Sequence, residues 1–189
     1  MRKIVSFMHV SLDGFVAGPN GEMNWIKVDE ELFEYASNRT SASDTALYGR
    51  NTFLMMDNYW PTAADKPNAS KHDIEHGTWY NKVNKYVVSS SIQSDNPLVT
   101  VISRDMKGQL ETLKNQPGKE IIMFGSPGLV HSLLELDLID EFWLFYNPIL
   151  LGKGVPMFGK IREHLPLKLI KTEQLKSTGV VCMNYERVR

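Results

Sequence analysis

The chain has 189 residues, 42% hydrophobic and 23% charged, with 21 basic and 22 acidic side chains giving a formal net charge of -1. That composition predicts one sizeable core, a single domain over residues 1–189, and excludes a disordered tail. With no basic excess to meet a phosphate backbone or an anionic bilayer, neither nucleic acid nor membrane is expected as a partner. The lone Cys182 forms no intrachain disulfide, and the absence of a long apolar run or a leader reads as a soluble, cytoplasmic protein.

In chain order, an apolar strand is predicted over 3–10. Residues 11–25, with Gly14, Gly18, Pro19 and Gly21 among aromatics, read as a mobile covering loop. A helix over 29–37 opens on Asp29-Glu30-Glu31, a strand follows over 45–48, and a helix over 50–58. Residues 61–81, rich in Pro, Asn, Asp, Lys and His, read as a surface excursion that could carry a short helix. Strands over 85–89, 98–102 and 120–124 and helices over 106–115 and 127–136 continue the alternation, which requires mainly parallel pairing. An aromatic strand over 140–147 and strands over 168–175 and 180–188, around Ser177-Thr178-Gly179, end the sheet antiparallel. The class is α/β: a mixed, mostly parallel sheet between helical layers.

Two strand-to-helix corners stand out. In Ala46-Leu47-Tyr48-Gly49-Arg50-Asn51-Thr52, an apolar strand runs through a glycine into a helix whose first amides face outward, with Arg50 and Thr52 beside them. A tight turn with a solvated Arg50 fits the same spacing equally well. The arrangement recurs at Phe124-Gly125-Ser126-Pro127-Gly128, where Ser126 can cap and Pro127 suits the first helical position. Two such corners at one sheet edge could share a pyrophosphate, so a dinucleotide is the expected ligand. Neither GxGxxG nor GxxxxGK[ST] is present. Ser89-Ser90-Ser91 offers hydroxyls at the same edge, although an ordinary polar loop explains serines alone better.

The acids Asp13, Asp29 and Glu30 could be desolvated beneath the covering loop, although first-turn carboxylates usually serve only the helix dipole. His72-Asp73-Ile74-Glu75-His76 spells an HxxEH metal motif, but Pro67 and Gly77 confine any helix there to about two turns, so a solvated loop is preferred and a zinc hydrolase ranks last. Met55-Met56, Phe142-Trp143 and Cys182 read as packing residues.

Taken together, SLDGFVAGPNGEMNW, LYGRNTF, NYWP, VSSS, IIMFGSPGLVHSLLELDLIDEFWLFYNPILLGKGVPMF and the closing Tyr185 resemble the dihydrofolate reductase superfamily, in the branch of the RibD C-terminal reductase domain. The resemblance implies a dihydrofolate reductase-like α/β/α fold binding NADPH, commonly as a homodimer. It implies cofactor contacts from Gly49, Arg50, Thr52, Gly125, Ser126 and Gly128, with Ser89 and Ser90 toward the adenosine; many relatives carry arginine in place of Ser90. It implies a substrate side with Asp13 and an acid of the first helix in the register of Asp29, Glu30 or Glu31, of which Glu30 joins Asp13 as catalytic candidate, and with Trp25 and Tyr146 as pocket walls. The activity implied is hydride transfer to a small heterocycle, a pterin or a ribosylaminopyrimidine, by a stand-alone reductase domain. The other reading is a non-catalytic dinucleotide-binding module of the same fold.

Overall fold

Alternation along the strands divides the interior in two. In β1 (Ile4–Ser11), Ile4 and Val10 join one core and Phe7 the other. The same split separates Leu47 from Ala46 and Tyr48 in β3 (Ser43–Gly49), and Ile121 and Met123 from Ile122 and Phe124 in β6 (Glu120–Phe124). Strands apolar on both faces need cover on both. Leu110 and Leu113 of α4 (Met106–Asn115) and Val130 and Leu133 of α5 (Pro127–Glu135) supply one layer. Leu32 and Ala36 of α1 (Glu30–Ser41), Phe53 of α2 (Arg50–Tyr59) and Tyr80 of α3 (Lys71–Tyr80) supply the other. The computed structural model, which describes residues 1–159 and 161–189, is thus a three-layer α/β fold.

The sheet adds β4 (Asn84–Val88), β5 (Val99–Ile102), β7 (Glu141–Asn147), β9 (Leu167–Gln174) and β10 (Val181–Arg187), in the order β5-β4-β3-β6-β1-β7-β10-β9. Every pairing from β5 through β7 is parallel, and β10 runs antiparallel to both β7 and β9. The chain therefore doubles back: β6 inserts between β3 and β1, which brings two corners distant in sequence to one edge. The buried Lys114 ammonium fastens α4 to the start of β7, donating to Asp140 at 2.6 Å and to the Leu138 carbonyl at 2.9 Å. Asp140 also accepts the Ile4 amide.

Two segments depart from expectation. Residues 61–81 run over the surface as expected but are more helical than a solvated loop. They hold a 3-10 turn (Trp60–Asp65) and the ten-residue α3, opened by a Ser70–Asp73 capping box. Gly77 does not stop α3 but lies inside it against the 3-10 turn, where a Cβ would stand 3.1 Å from the Trp60 carbonyl oxygen. The glycine serves close packing rather than termination, and the helix runs on to bury His76 and Tyr80. The loop over 11–25 contains a short strand, β2 (Phe15–Ala17), paired antiparallel with β8 (Val155–Pro156).

Candidate active site

The order of the sheet sets β3 and β6 side by side and parallel, so α2 and α5 begin next to each other at their carboxyl ends. Neither helix has a side-chain cap. The other three α-helices are capped: α1 by Asp29, α3 by Ser70 and α4 by Asp105. Unpaired first-turn amides with the positive end of the helix dipole attract an anion, and here two such ends converge. Gly125 and Ser126, at φ +70° and +64°, turn the strand sharply into α5. That conformation swings the Ser126 hydroxyl away from its own helix, so it does not cap as expected. Instead it accepts the Gly49 amide at 2.9 Å and joins the corners. A Cβ at Gly125 would stand 3.4 Å from the Thr52 methyl, and one at Gly128 would meet open space. The resulting groove, about 370 Å³, is lined by Gly49, Arg50, Thr52, Ser126, Gly128 and Ser132 among others. Arg50 is exposed at its rim. At the end of β4, the buried Ser89 hydroxyl accepts the amides of Ser91 and Ile92 and closes its own turn, whereas Ser90 is exposed.

Beyond Gly125 lies a second cavity of about 250 Å³, on the α1 side of the sheet. Phe7, Phe33, Met55, Met56, Trp60 and Phe124 contribute to its wall, and Val16, Met23, Ile26 and Val28 reach it from the segment after β1. The covering role expected of that segment is therefore filled. Met55 and Met56 line the cavity instead of serving only as core. Its polar groups are imidazoles. His72 stacks on Phe33 with centroids 4.0 Å apart, and His76 sits among Trp60, Trp79 and Phe124. His9 lies beside Phe145 on the face of β1 that carries Phe7. Burial pushes His9 down to about 4, and burial with the neighbouring His72 pushes His76 down to about 3, so both rings are neutral. The His72 and His76 centroids are 5.3 Å apart, and among the described residues no group of three potential metal ligands occurs.

Several residues expected at the substrate side stand elsewhere. The exposed Asp13 carboxylate accepts the Ser11 hydroxyl at 2.6 Å and the amides of Leu151 and Gly152 at 3.1 and 2.7 Å. These bonds, the Ser11 hydroxyl foremost, hold its pKa below the usual carboxylate range and make it a tie between two loops. Glu30 borders a separate polar groove with Glu34, Lys71 and Glu75. Asp29 caps α1 and meets the Ser177 hydroxyl, while Glu31 accepts the Lys176 amide. Trp25 is no cavity wall: its indole N–H bends back to the Glu22 carbonyl at 3.0 Å. Tyr146 packs with the core on the opposite face of the sheet, because it shares the parity of Phe142 and Leu144 rather than that of Phe145. His9, His72 and His76 are the histidines that line the cavity instead. A sequence signal existed for His9, which falls two positions after Phe7 on a buried strand.

The family model described as the RibD C-terminal domain matches residues 2–181. The protein named "Uncharacterized protein YyaP" of Bacillus subtilis (strain 168) is 33% identical over 187 residues, covering 97% of this chain and 94% of that one. A putative riboflavin biosynthesis protein from Shewanella sp. PV-4 superposes with a TM-score of 0.71 at 23% identity, over 99% of both chains. The diaminohydroxyphosphoribosylaminopyrimidine deaminase/5-amino-6-(5-phosphoribosylamino)uracil reductase of Thermotoga maritima superposes with a TM-score of 0.70 at 17% identity, over 99% of this chain and 57% of that one. The fold is dihydrofolate reductase-like.

Proposed function

The chain belongs to the RibD C-terminal domain family, and from that premise we propose that it is an NADPH-dependent oxidoreductase that reduces a small, flat heterocycle. The observation that carries this reading is the pair of uncapped helix ends joined by Ser126 and Gly49. Their amides would hold the cofactor's diphosphate, with Arg50 adding charge at the rim and Gly128 leaving room. Gly125, which lines the cavity while its neighbour Ser126 lines the groove, permits a backbone-close passage between the two.

When bound, NADPH supplies the hydride. The residues of the chain supply alignment and dryness. Phe7, Phe33, Trp60 and Phe124 offer flat faces to a ring, and the segment from Val16 to Val28 excludes water. Reduction also requires a proton. No carboxyl group among the described residues lines the cavity, so the proton would have to come from solvent.

That missing acid also favours the second reading, a module that binds the dinucleotide without turnover. Calorimetric titration of the purified chain with NADPH and NADH tests the cofactor site. Saturable binding supports both readings, and heats no larger than dilution for both nucleotides would overturn them. Loss of NADPH absorbance with a heterocyclic acceptor then separates enzyme from module. A homodimer accompanies this proposal, with edge strand β9 as its seam: Leu167, Leu169 and Ile170 are exposed there, and bare edge strands invite pairing. Light scattering at the monomer mass would remove it.

A further inference from the structure

The groove and the cavity draw on different strands, and this gives the proposed dinucleotide a direction. The cavity takes Phe7 and His9 from β1 and Phe124 from β6, whereas the groove takes Gly49 from β3, Ser126 after β6 and Val88 from β4, and no residue of β1. In the proposed site the hydride-donating ring lies at the cavity and the diphosphate between the β3 and β6 corners. The other nucleoside then continues past Val88 toward β4 and β5. That is two strand spacings, roughly 10 Å, a distance that a nucleoside spans.

The register of the sheet fixes what it meets there. Gly49, Val88 and Ile102 form one row across β3, β4 and β5. The Ser89 amide donates to the Ile102 carbonyl at 3.1 Å, so the chain leaving β4 stays beside the chain leaving β5. Two positions past that row stand Ser90 and Arg104, on neighbouring loops and both exposed. The loop after β4 brings no cation: residues 89–98 hold neither lysine nor arginine, and the Ser89 hydroxyl is taken by the amides of Ser91 and Ile92. Behind Arg104 the first turn of α4 is closed, because the Asp105 carboxylate accepts the Gly108 amide at 3.1 Å, and Lys107 faces Glu111 at 3.9 Å. The Arg104 carbonyl accepts the Gln109 side-chain amide at 2.6 Å, while its guanidinium has no partner among the described residues. A phosphate on a ribose is a compact anion, and an unpaired guanidinium with its planar fork is the side chain that matches it.

We infer that Arg104 reads the phosphate on the adenosine ribose, the group that distinguishes NADPH from NADH, and so sets the cofactor preference from the loop after β5. The inference rests on the reductase reading and adds to it the residue that chooses between the two nucleotides. Arg50 has a different duty. It stands one position past the row, in the groove where the diphosphate common to both nucleotides would lie.

Calorimetric titration of the full chain with NADPH, NADH, adenosine 2',5'-bisphosphate and adenosine 5'-monophosphate tests this by binding alone. The wild type should bind NADPH about tenfold or more tightly than NADH, and the bisphosphate more tightly than the monophosphate. Arg104→Ala and Arg104→Gln should each weaken NADPH and the bisphosphate about tenfold, with NADH and the monophosphate within about twofold of the wild type. Arg50→Ala should weaken NADPH and NADH alike. Since Arg104 is exposed, the urea midpoints of its variants should match that of the wild type. An unchanged preference in both Arg104 variants, equal weakening of both dinucleotides by them, or loss of the preference in Arg50→Ala alone overturns the inference and leaves the reductase reading standing. A wild type that binds the two dinucleotides equally does the same. Failure of the wild type to bind either dinucleotide overturns the reading and the inference together.

Discussion

Ser126 and Gly49, 77 positions apart, are joined by one hydrogen bond, from the Gly49 amide to the Ser126 hydroxyl at 2.9 Å. It sets the spacing between the first turns of α2 and α5. Ser126 holds it in a left-handed conformation that costs a non-glycine residue about 1–2 kcal/mol. Ser126→Ala loses the bond and keeps the strain, so NADPH binding and stability should both fall by about 1 kcal/mol. Ser126→Gly loses the same bond but relieves the strain, and its urea midpoint should exceed that of Ser126→Ala. Equal midpoints would show that the turn is unstrained.

Arg50 sits at the rim of the same groove, exposed, its guanidinium near Asn51 Oδ1 at 3.3 Å. It contributes little to the fold, and in the proposed site it would add a charge-assisted bond to a bound diphosphate. Arg50→Ala should weaken NADPH by about 1.5–3 kcal/mol and leave the unfolding midpoint in place. Salt should also weaken NADPH less in the variant than in the wild type. Undiminished affinity would remove Arg50 from the site.

The eight strands of the main sheet and four of the five α-helices among the described residues were legible because their apolar periods are strong and their ends are marked, whereas the short β2 and β8 were not. Gly49 and Pro127 announce the two corners. Their convergence was an expectation from the general placement of ligands at the carboxyl ends of parallel strands, and only the strand order, a non-local property, sets the two corners side by side. The helix within 61–81 was underread because Gly77 and a polar composition mimic a loop. The period of His72, His76 and Tyr80, which packs α3 inward, is carried by residues that score as polar. The acids misled for a related reason. Carboxylates invite chemical roles, yet the fold uses Asp13 and Asp29 to satisfy backbone amides, and their partners lie more than 130 residues away or in a helix turn. Trp25 and Tyr146 depended on the direction of one side chain, which composition does not encode.

Asp13 ties the segment after β1 to the amides of Leu151 and Gly152. A carboxylate that accepts three hydrogen bonds is a fastener, so Asp13→Ala should release those amides while sparing the core strands. Hydrogen exchange at Leu151 and Gly152 should quicken by about tenfold or more, with exchange in β1 and β6 unchanged. Apparent acceptor affinity should fall, because Val16 and Met23 reach the cavity from this segment. Complete loss of turnover with unchanged exchange at both amides would instead return Asp13 to a chemical role.

The buried imidazoles make stability depend on pH in a definite direction. His9 and His76 are pushed from an ordinary 6.5 to about 4 and about 3, in both cases chiefly by burial. Among the described residues the only titratable group lowering His76 further is His72, itself lowered by burial and raised by Asp73 and Glu75, and no charged side chain lines the cavity around His9. Above pH 6.5 both histidines are neutral in folded and unfolded chains, and neither adds a pH dependence. Below it the unfolded chain binds two protons that the folded chain refuses, so stability falls as pH falls, by up to about 1.4 kcal/mol per unit for each histidine. The loss runs from pH 6.5 to about 4 for His9 and on toward 3 for His76. Urea unfolding of the wild type and of His76→Phe at pH 7.5, 6, 5 and 4.5 isolates the effect. The variant should lose less stability than the wild type over this range, by an amount that grows as the pH drops. A wild-type-minus-variant difference that stays constant from pH 7.5 to 4.5 would mean that His76 is protonated in the folded chain, and the cavity would then hold a charge.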